Sequence, residues 1–233
     1  MTAWLYLYYQ HWLMTSLPMS EMWMPPTKGS EWQWIDFYLV YIMWAIMMAA
    51  MMLPSAIPMI LVYATICEQR YQSAFPYTWL FVLAYLIVWF IFSMSLTGLQ
   101  WFMHDLHFLS PMMDPQYDLI AAFIFLIAGF YQLTPLKSNF LYVCRTPMGF
   151  VLTEWREKST GALKMGIKHG ISCLGCCWAQ MLMMFAVGVM NLLGMALITF
   201  MIFVEKTLPN YHRFFSKSIG ILFIVWAIWL LYL

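Results

Sequence analysis

Long apolar stretches divide this chain, and its charged residues cluster between them. A helix needs about 20 predominantly apolar residues to cross a bilayer. The stretches that reach or approach this length are predicted to be membrane helices, and they cover residues 35–67, 77–99, 119–133, 169–204 and 219–233. The pattern therefore predicts an all-α fold, a polytopic helical membrane protein with about six spans, because the fourth stretch is long enough for two.

Prolines and glycines mark the breaks inside these stretches. Pro54 and Pro58 lie in the middle of the first one. Each proline removes a backbone donor, so we expect a kink there and free carbonyl groups, without a re-entrant loop. Gly188, Asn191 and Gly194 predict a tight turn that divides 169–204 into two spans.

The N-terminal part of the chain is less regular. Residues 1–17 are aromatic and apolar but include His11, so they predict either a short or incomplete additional span or an interfacial helix, and we favour the short span. The predicted organisation is an N-terminal segment with a methionine-rich outer arm over 1–34, followed by a helical transmembrane domain over 35–233. The first residues lack a basic n-region and a small-residue cleavage site, so no cleaved signal peptide is expected.

Basic residues predict the orientation in the membrane. The segment 137–168 has six Lys or Arg residues against two Glu, whereas 100–118 has no Lys or Arg. Cytoplasmic loops of membrane proteins carry an excess of Lys and Arg. We therefore expect 137–168 to be a basic cytoplasmic loop and 100–118 to lie outside.

Composition excludes several classes of function. The chain is 64% hydrophobic and 9% charged with a net charge of +1, which gives no electrostatic footprint for nucleic acid. Its five cysteines are an odd number and do not form a disulfide framework. No catalytic motif is present in the sequence, so an enzyme is not expected.

Cysteine, histidine and methionine share one face of the fourth stretch. Cys173, Cys176 and Cys177 follow His169 at helical spacing, and the stripe continues in Met181 and Met184. Thiolate and thioether ligands select soft metals such as Cu(I). The alternative is packing, in which small cysteines and the glycines at 166, 170 and 175 let helices approach closely.

Methionine is the second candidate ligand, with 23 residues in the chain. Met47 and Met51 are four residues apart in the first stretch, at about the same predicted depth as Met181 and Met184. Thioethers from two helices would then meet inside the membrane. The alternative is that these flexible side chains only fill gaps in the core.

A third candidate lies in the predicted outer segments. His104 and His107 offer imidazole ligands, and Met19, Met22 and Met24 form an extended thioether-rich arm. Imidazole suits Cu(II) or zinc, and methionine suits Cu(I). The alternative for the two histidines is an ordinary solvated loop.

Several blocks of the sequence resemble a known family. The chain is similar to the predicted metal-binding integral membrane proteins called domain of unknown function 2182, over most of 36–206. The blocks that carry the resemblance are 43–59, 128–137, 144–147, 153–157 and 161–178. The resemblance implies a bacterial inner-membrane, multi-pass protein with metal-binding Cys, His and Met residues, and it implies no particular reaction.

The sequence is compatible with two functions from different classes of protein. The favoured one is a membrane protein that binds copper as Cu(I), for delivery, storage or assembly of a membrane cuproenzyme, with the lipid bilayer and that cuproenzyme as partners. The alternative is a structural accessory subunit that packs against a larger membrane complex. The copper content of the purified protein distinguishes them. A redox enzyme that uses Cys176 and Cys177 is the least favoured reading, because no cofactor motif accompanies them.

Overall fold

A computed structural model describes residues 2–16, 26, 31–71, 73–110, 117–207 and 212–232. These residues form an all-α protein, which confirms the predicted fold class. Met19, Met22 and Met24 of the predicted methionine-rich arm lie outside the described residues. The helices of the described part are α1 Thr2–Ser16, α2 Trp34–Arg70, α3 Phe75–Asp105, α4 Asp118–Leu133, α5 Pro135–Arg145, α6 Pro147–Glu154, α7 Lys158–Leu182, α8 Met184–Val187, α9 Leu192–Thr207 and α10 His212–Tyr232.

Four segments of the described chain are long and apolar enough to cross a membrane. They are Trp34–Arg70, Phe75–Asp105, Lys158–Val187 and Phe214–Tyr232. Helices α4 and α5 form a pair bent by 68°, which adds a fifth span if the pair is counted as one. The predicted number of about six spans remains a prediction.

Helix α2 is continuous through Pro54 and Pro58. Pro54 has no N–H to donate to the carbonyl of Ala50 one turn earlier. The indole N–H of Trp4 in α1 donates to that carbonyl instead, at 2.9 Å. The proline therefore frees a carbonyl near the methionine band, as predicted, and α1 satisfies it.

The turn predicted within 169–204 lies between α8 and α9, while the division of this stretch into two membrane spans remains a prediction. Gly188 has a φ of 99°, a conformation that favours glycine. The side-chain oxygen of Asn191 accepts a hydrogen bond from the N–H of Gly194 at 3.0 Å and so caps the start of α9.

Glycines allow the closest helix pairs. The main pairings are α4 with α10, α3 with α7, and α2 with α3. A Cβ on Gly170 of α7 would lie 2.8 Å from Val88 Cγ2 of α3, and one on Gly129 of α4 would lie 2.9 Å from the carbonyl oxygen of Gly220 in α10. Larger residues at either glycine would force the helices apart, so the packing role predicted for Gly170 is real.

The buried residues form a large main core and a smaller second core. The second core, called the Tyr63 cluster here, lies around α2, α3, α6 and α7 and consists of Met59, Tyr63, Cys67, Phe81, Phe150, Val151, Ala162 and Met165. All the other cysteines belong to the main core.

The segment 137–168, predicted as a basic cytoplasmic loop, is largely helical. It contains most of α5, all of α6 and the start of α7. Its first basic residue, Lys137, is fully buried. Lys137 therefore does not contribute to a basic surface.

Candidate metal centre

A close approach between α5 and α7 builds the site. A Cβ on Gly175 of α7 would lie 2.7 Å from the ring of Phe140 in α5, so only glycine fits there. Cys144 is one turn beyond Phe140, and Cys176 directly follows Gly175. The hydroxyl of Tyr131 in α4 donates to the carbonyl of Gly175 and holds this part of α7 in place. The approach therefore brings the two cysteines together.

Three thiols from these two helices converge. The sulfurs of Cys144, Cys173 and Cys176 all lie within 4.8 Å of one another, and the Cys144 and Cys176 sulfurs are 3.9 Å apart. All three residues are buried. We call this group the thiol cluster.

A lysine from α9 points at the thiol cluster. The Nζ atom of Lys206 is 3.0 Å from Cys173 Sγ and 3.0 Å from the hydroxyl oxygen of Ser55 in α2. The hydroxyl oxygen of Tyr85 in α3 is also 3.2 Å from Cys173 Sγ. Four helices thus contribute to the surroundings of one sulfur atom.

The preceding residue, Glu205, is held by other groups. Its carboxylate forms a salt bridge with Lys137 at 2.7 Å and accepts hydrogen bonds from Gln132 at 2.8 Å and Gln180 at 3.4 Å. The described residues also include an exposed pair between Lys168 and Glu154. Lys206 therefore faces a sulfur instead of a carboxylate, and a thiolate at Cys173, the form that a bound metal ion requires, would form an ion pair with it.

The other residues predicted on α7 lie beside the thiol cluster. Cys177 donates to the carbonyl of Cys173 at 2.8 Å, and its sulfur is 3.7 Å from the sulfur of Met52. His169 lies one turn before Cys173, with its ring stacked on Tyr85 and Phe81 at centroid distances of 5.4 and 6.0 Å. Its Nδ1 has no hydrogen-bond partner among the described residues.

The four predicted methionines are core residues. Met47, Met51, Met181 and Met184 are fully buried in the main core. Of the methionine band on α2, it is Met52 whose sulfur contacts a thiol. The structure therefore indicates Met52, a neighbour of Met47 and Met51, as the candidate thioether ligand on α2.

The two predicted histidine ligands occupy different environments. His104 belongs to the last turn of α3 and is buried, with Nδ1 3.0 Å from the carbonyl oxygen of Gln100 and its ring 5.6 Å from that of Trp32. The solvated-loop alternative is therefore wrong for His104. His107 is exposed, with a φ of 56°.

Three residues of the site are absent from the ligands predicted from sequence: Cys144, Met52 and Lys206. Cys144 stood in one of the blocks of family resemblance, but it is 29 positions from Cys173, so helical spacing does not connect them. Lys206 carried a signal, since it and Glu205 are the charged residues of an otherwise apolar helix.

The donor set fits a soft monovalent ion. With metal–sulfur bonds of about 2.3 Å, three sulfurs around one ion in a plane lie about 4 Å apart, which is close to the 3.9 Å between Cys144 and Cys176. Structural zinc sites are almost always four-coordinate, whereas soft sulfur ligands also select Cu(I). A three-sulfur cluster beside a lysine therefore suits Cu(I) better than zinc.

Fold and site together define a strongly apolar, all-helical protein with a buried thiol cluster that could hold a metal ion. The chain belongs to the PpoB2 family of copper chaperones, whose family model matches residues 41–230. The matched region contains Met52, all three cluster cysteines and Lys206. The predicted relation to a metal-binding family is confirmed as a relation to a copper-related family, under a different family name. Searches of curated proteins and of solved structures found no match to the chain.

Proposed function

We propose that this protein is an integral membrane chaperone that carries Cu(I) on the thiol cluster and delivers it to a cuproenzyme. The observation that carries the proposal is the meeting of three buried thiols from α5 and α7 within 4.8 Å. Membership of a copper chaperone family supports copper as the cargo.

Charge balance supports a monovalent ion at this position. Three thiolates and one Cu(I) together carry a net charge of −2, which is costly to bury without a nearby cation. The ammonium of Lys206, 3.0 Å from Cys173 Sγ, offsets half of this charge. Buried charges persist in proteins when they are paired, and this lysine supplies the pairing charge.

The membrane arrangement is part of the proposal. Large apolar side chains cover the outer faces of the long helices, such as Ile91 and Met94 on α3 and Val225 on α10. This distribution suits lipid contact. Six spans result if α4 and α9, each of 16 residues and about 24 Å long, cross a locally thinned region of the bilayer together with the four long segments. The bacterial inner membrane is the proposed location, with residues 137–168 in the cytoplasm.

Copper binding to purified protein tests the function. We expect the detergent-solubilised wild-type chain to retain one Cu(I) in competition with a soluble Cu(I) chelator. Replacing one cluster ligand, as in Cys144→Ser or Cys176→Ser, should weaken binding by more than the 10–100-fold typical of outer-shell changes.

Cys67→Ser is the matched control, because Cys67 is equally buried but lies in the Tyr63 cluster. It should bind copper like the wild type. Equal copper affinity in Cys144→Ser and Cys67→Ser would overturn the proposed site. A wild-type chain that takes up no copper, but stays associated with a larger membrane complex, would support the accessory-subunit alternative.

Thiol labelling from outside the cell tests the orientation. All five native cysteines are buried, so background labelling should be low. A cysteine introduced by Ser110→Cys should react with an impermeant reagent in spheroplasts, and one introduced by Ser138→Cys should react only after lysis. Reaction at position 138 in intact spheroplasts would contradict the orientation.

A further inference from the structure

A second pair of sulfur atoms lies directly beside the thiol cluster. Cys177 Sγ of α7 and Met52 Sδ of α2 are 3.7 Å apart, and both residues are fully buried. The pair joins two helices in the same way that the thiol cluster joins α5 and α7. One thiol and one thioether are both soft ligands for Cu(I).

One backbone carbonyl connects the thiol cluster with the pair of Cys177 and Met52. The thiols of Cys176 and Cys177 both donate to the carbonyl oxygen of Cys173, at 3.1 and 2.8 Å. The sulfur of Cys176 belongs to the thiol cluster and that of Cys177 contacts Met52. The sulfurs of Cys176 and Cys177 therefore lie within about 6 Å of each other.

We propose that Cys177 and Met52 form a second, weaker Cu(I) site through which the ion enters and leaves the thiol cluster. This inference rests on the proposed function. In the first exchange step, the bond between copper and Cys176 sulfur breaks as a bond to Cys177 sulfur forms, and the proton of the Cys177 thiol passes to the released sulfur of Cys176. In the second step, the bonds from copper to Cys144 and Cys173 break as a bond to Met52 sulfur forms. The released Cys173 sulfur then pairs with the ammonium of Lys206, the released Cys144 sulfur takes up a proton from solvent, and copper remains Cu(I) throughout.

The geometry explains why the second site is weaker. Two metal–sulfur bonds of about 2.3 Å need sulfurs about 4.6 Å apart for a linear arrangement. At 3.7 Å the arrangement is bent, which leaves a position on the ion open for a third ligand. A thioether is neutral and forms no ion pair with the metal, so the ion is readily passed on. Methionine also has three rotatable bonds, which lets its sulfur follow a moving ion.

The rate of copper release tests this inference. The full-length protein in detergent is loaded with one Cu(I) per chain and mixed with excess soluble Cu(I) chelator, and release is followed over time. Met52→Leu preserves volume and removes the sulfur. We expect it to slow release by at least about tenfold, equivalent to roughly 1.4 kcal/mol on the barrier, while the copper content at equilibrium stays the same.

Met59→Leu is the matched control, since Met59 is a buried methionine on the same helix but belongs to the Tyr63 cluster. It should release copper at the wild-type rate. Equal rates in Met52→Leu and Met59→Leu would overturn the inference, as would loss of equilibrium copper in Met52→Leu, which would make Met52 a ligand of the tight site.

The inference and the proposed function fail in different ways. If the wild-type chain takes up no Cu(I), the proposed function fails and the second site with it. If the wild type and Met59→Leu load normally, the Met52→Leu result decides the second site alone. Cys177→Ser should reproduce the slow release, and fast release in that variant would count against the transfer step.

Discussion

The thiol cluster and the Tyr63 cluster contain similar residue types but differ in what surrounds them. Both include buried cysteine, and buried methionine lies in or beside each. Cys67 lies among aromatic and aliphatic side chains, with Tyr63 stacked on Phe81 at 4.6 Å. Cys173, in contrast, has two other thiols and an ammonium group close to its sulfur. A buried cysteine becomes a candidate ligand only where other helices bring donors and charge to it.

We expect the largest difference in stability between the two regions when Glu205, which lies in a buried polar network, is replaced. Glu205→Gln leaves Lys137 buried without its carboxylate, which should lower the free energy of unfolding by about 3–5 kcal/mol. Lys137 and Glu205 are 1% and 2% exposed. Chemical denaturation in detergent measures the change.

Glu154→Gln is the matched change near the Tyr63 cluster. Glu154 pairs with Lys168 at the same 2.7 Å, but the two side chains are 31% and 56% exposed. Exposed pairs contribute about 0–1 kcal/mol. Equal destabilisation by the two substitutions would contradict the view that burial makes Glu205 important.

Lys206→Met should mainly affect copper. The substitution removes the buried ammonium without leaving an unpaired cation, so the fold should change little. The charge that offsets the thiolates is lost, and we expect Cu(I) affinity to fall by about 10–100-fold, the range found for residues that support metal ligands. Competition with a Cu(I) chelator measures it, and Lys206→Arg should recover part of the affinity. Unchanged affinity in Lys206→Met would remove the lysine from the site.

Gly175→Ala tests whether the approach of α5 to α7 creates the thiol cluster. The added Cβ would lie 2.7 Å from the Phe140 ring, and overpacking of this kind costs about 1–3 kcal/mol. We expect lower copper affinity together with lower stability. Gly98→Ala is the control, because nothing lies within 4 Å of a Cβ there. Wild-type copper affinity in Gly175→Ala would show that the spacing of these helices is not critical.

The smallest effect is expected for Met47→Leu with Met51→Leu. Both residues are fully buried, and the change conserves volume, so it should cost less than about 1.5 kcal/mol. Copper content measured by elemental analysis should not change. A copper deficit would indicate a further thioether site in the main core. Copper binding would then not be confined to the thiol cluster and its immediate neighbours.

Sequence reasoning found part of this site because part of it is local. The spacing of Cys173 and Cys176 puts both sulfurs on one side of a helix, and the structure brings both into the thiol cluster. Close helix packing and a metal site, which the sequence presented as alternatives, do not exclude each other in this structure. Gly175 packs against Phe140, and this contact is what brings Cys144 to the cysteines of α7.

The amino-acid sequence by itself determined the all-helical architecture, the long apolar helices and the turn at Gly188, because hydrophobic patterning and glycine or proline positions act over a few residues. Only the tertiary structure decided which thiols meet. Cys144, Lys206 and Met52 come from helices that are distant along the chain, and no local pattern encodes which faces of two helices pack together. For the same reason, Cys67 and Cys144 look alike in the sequence, while one lies among aromatic rings and the other in the thiol cluster.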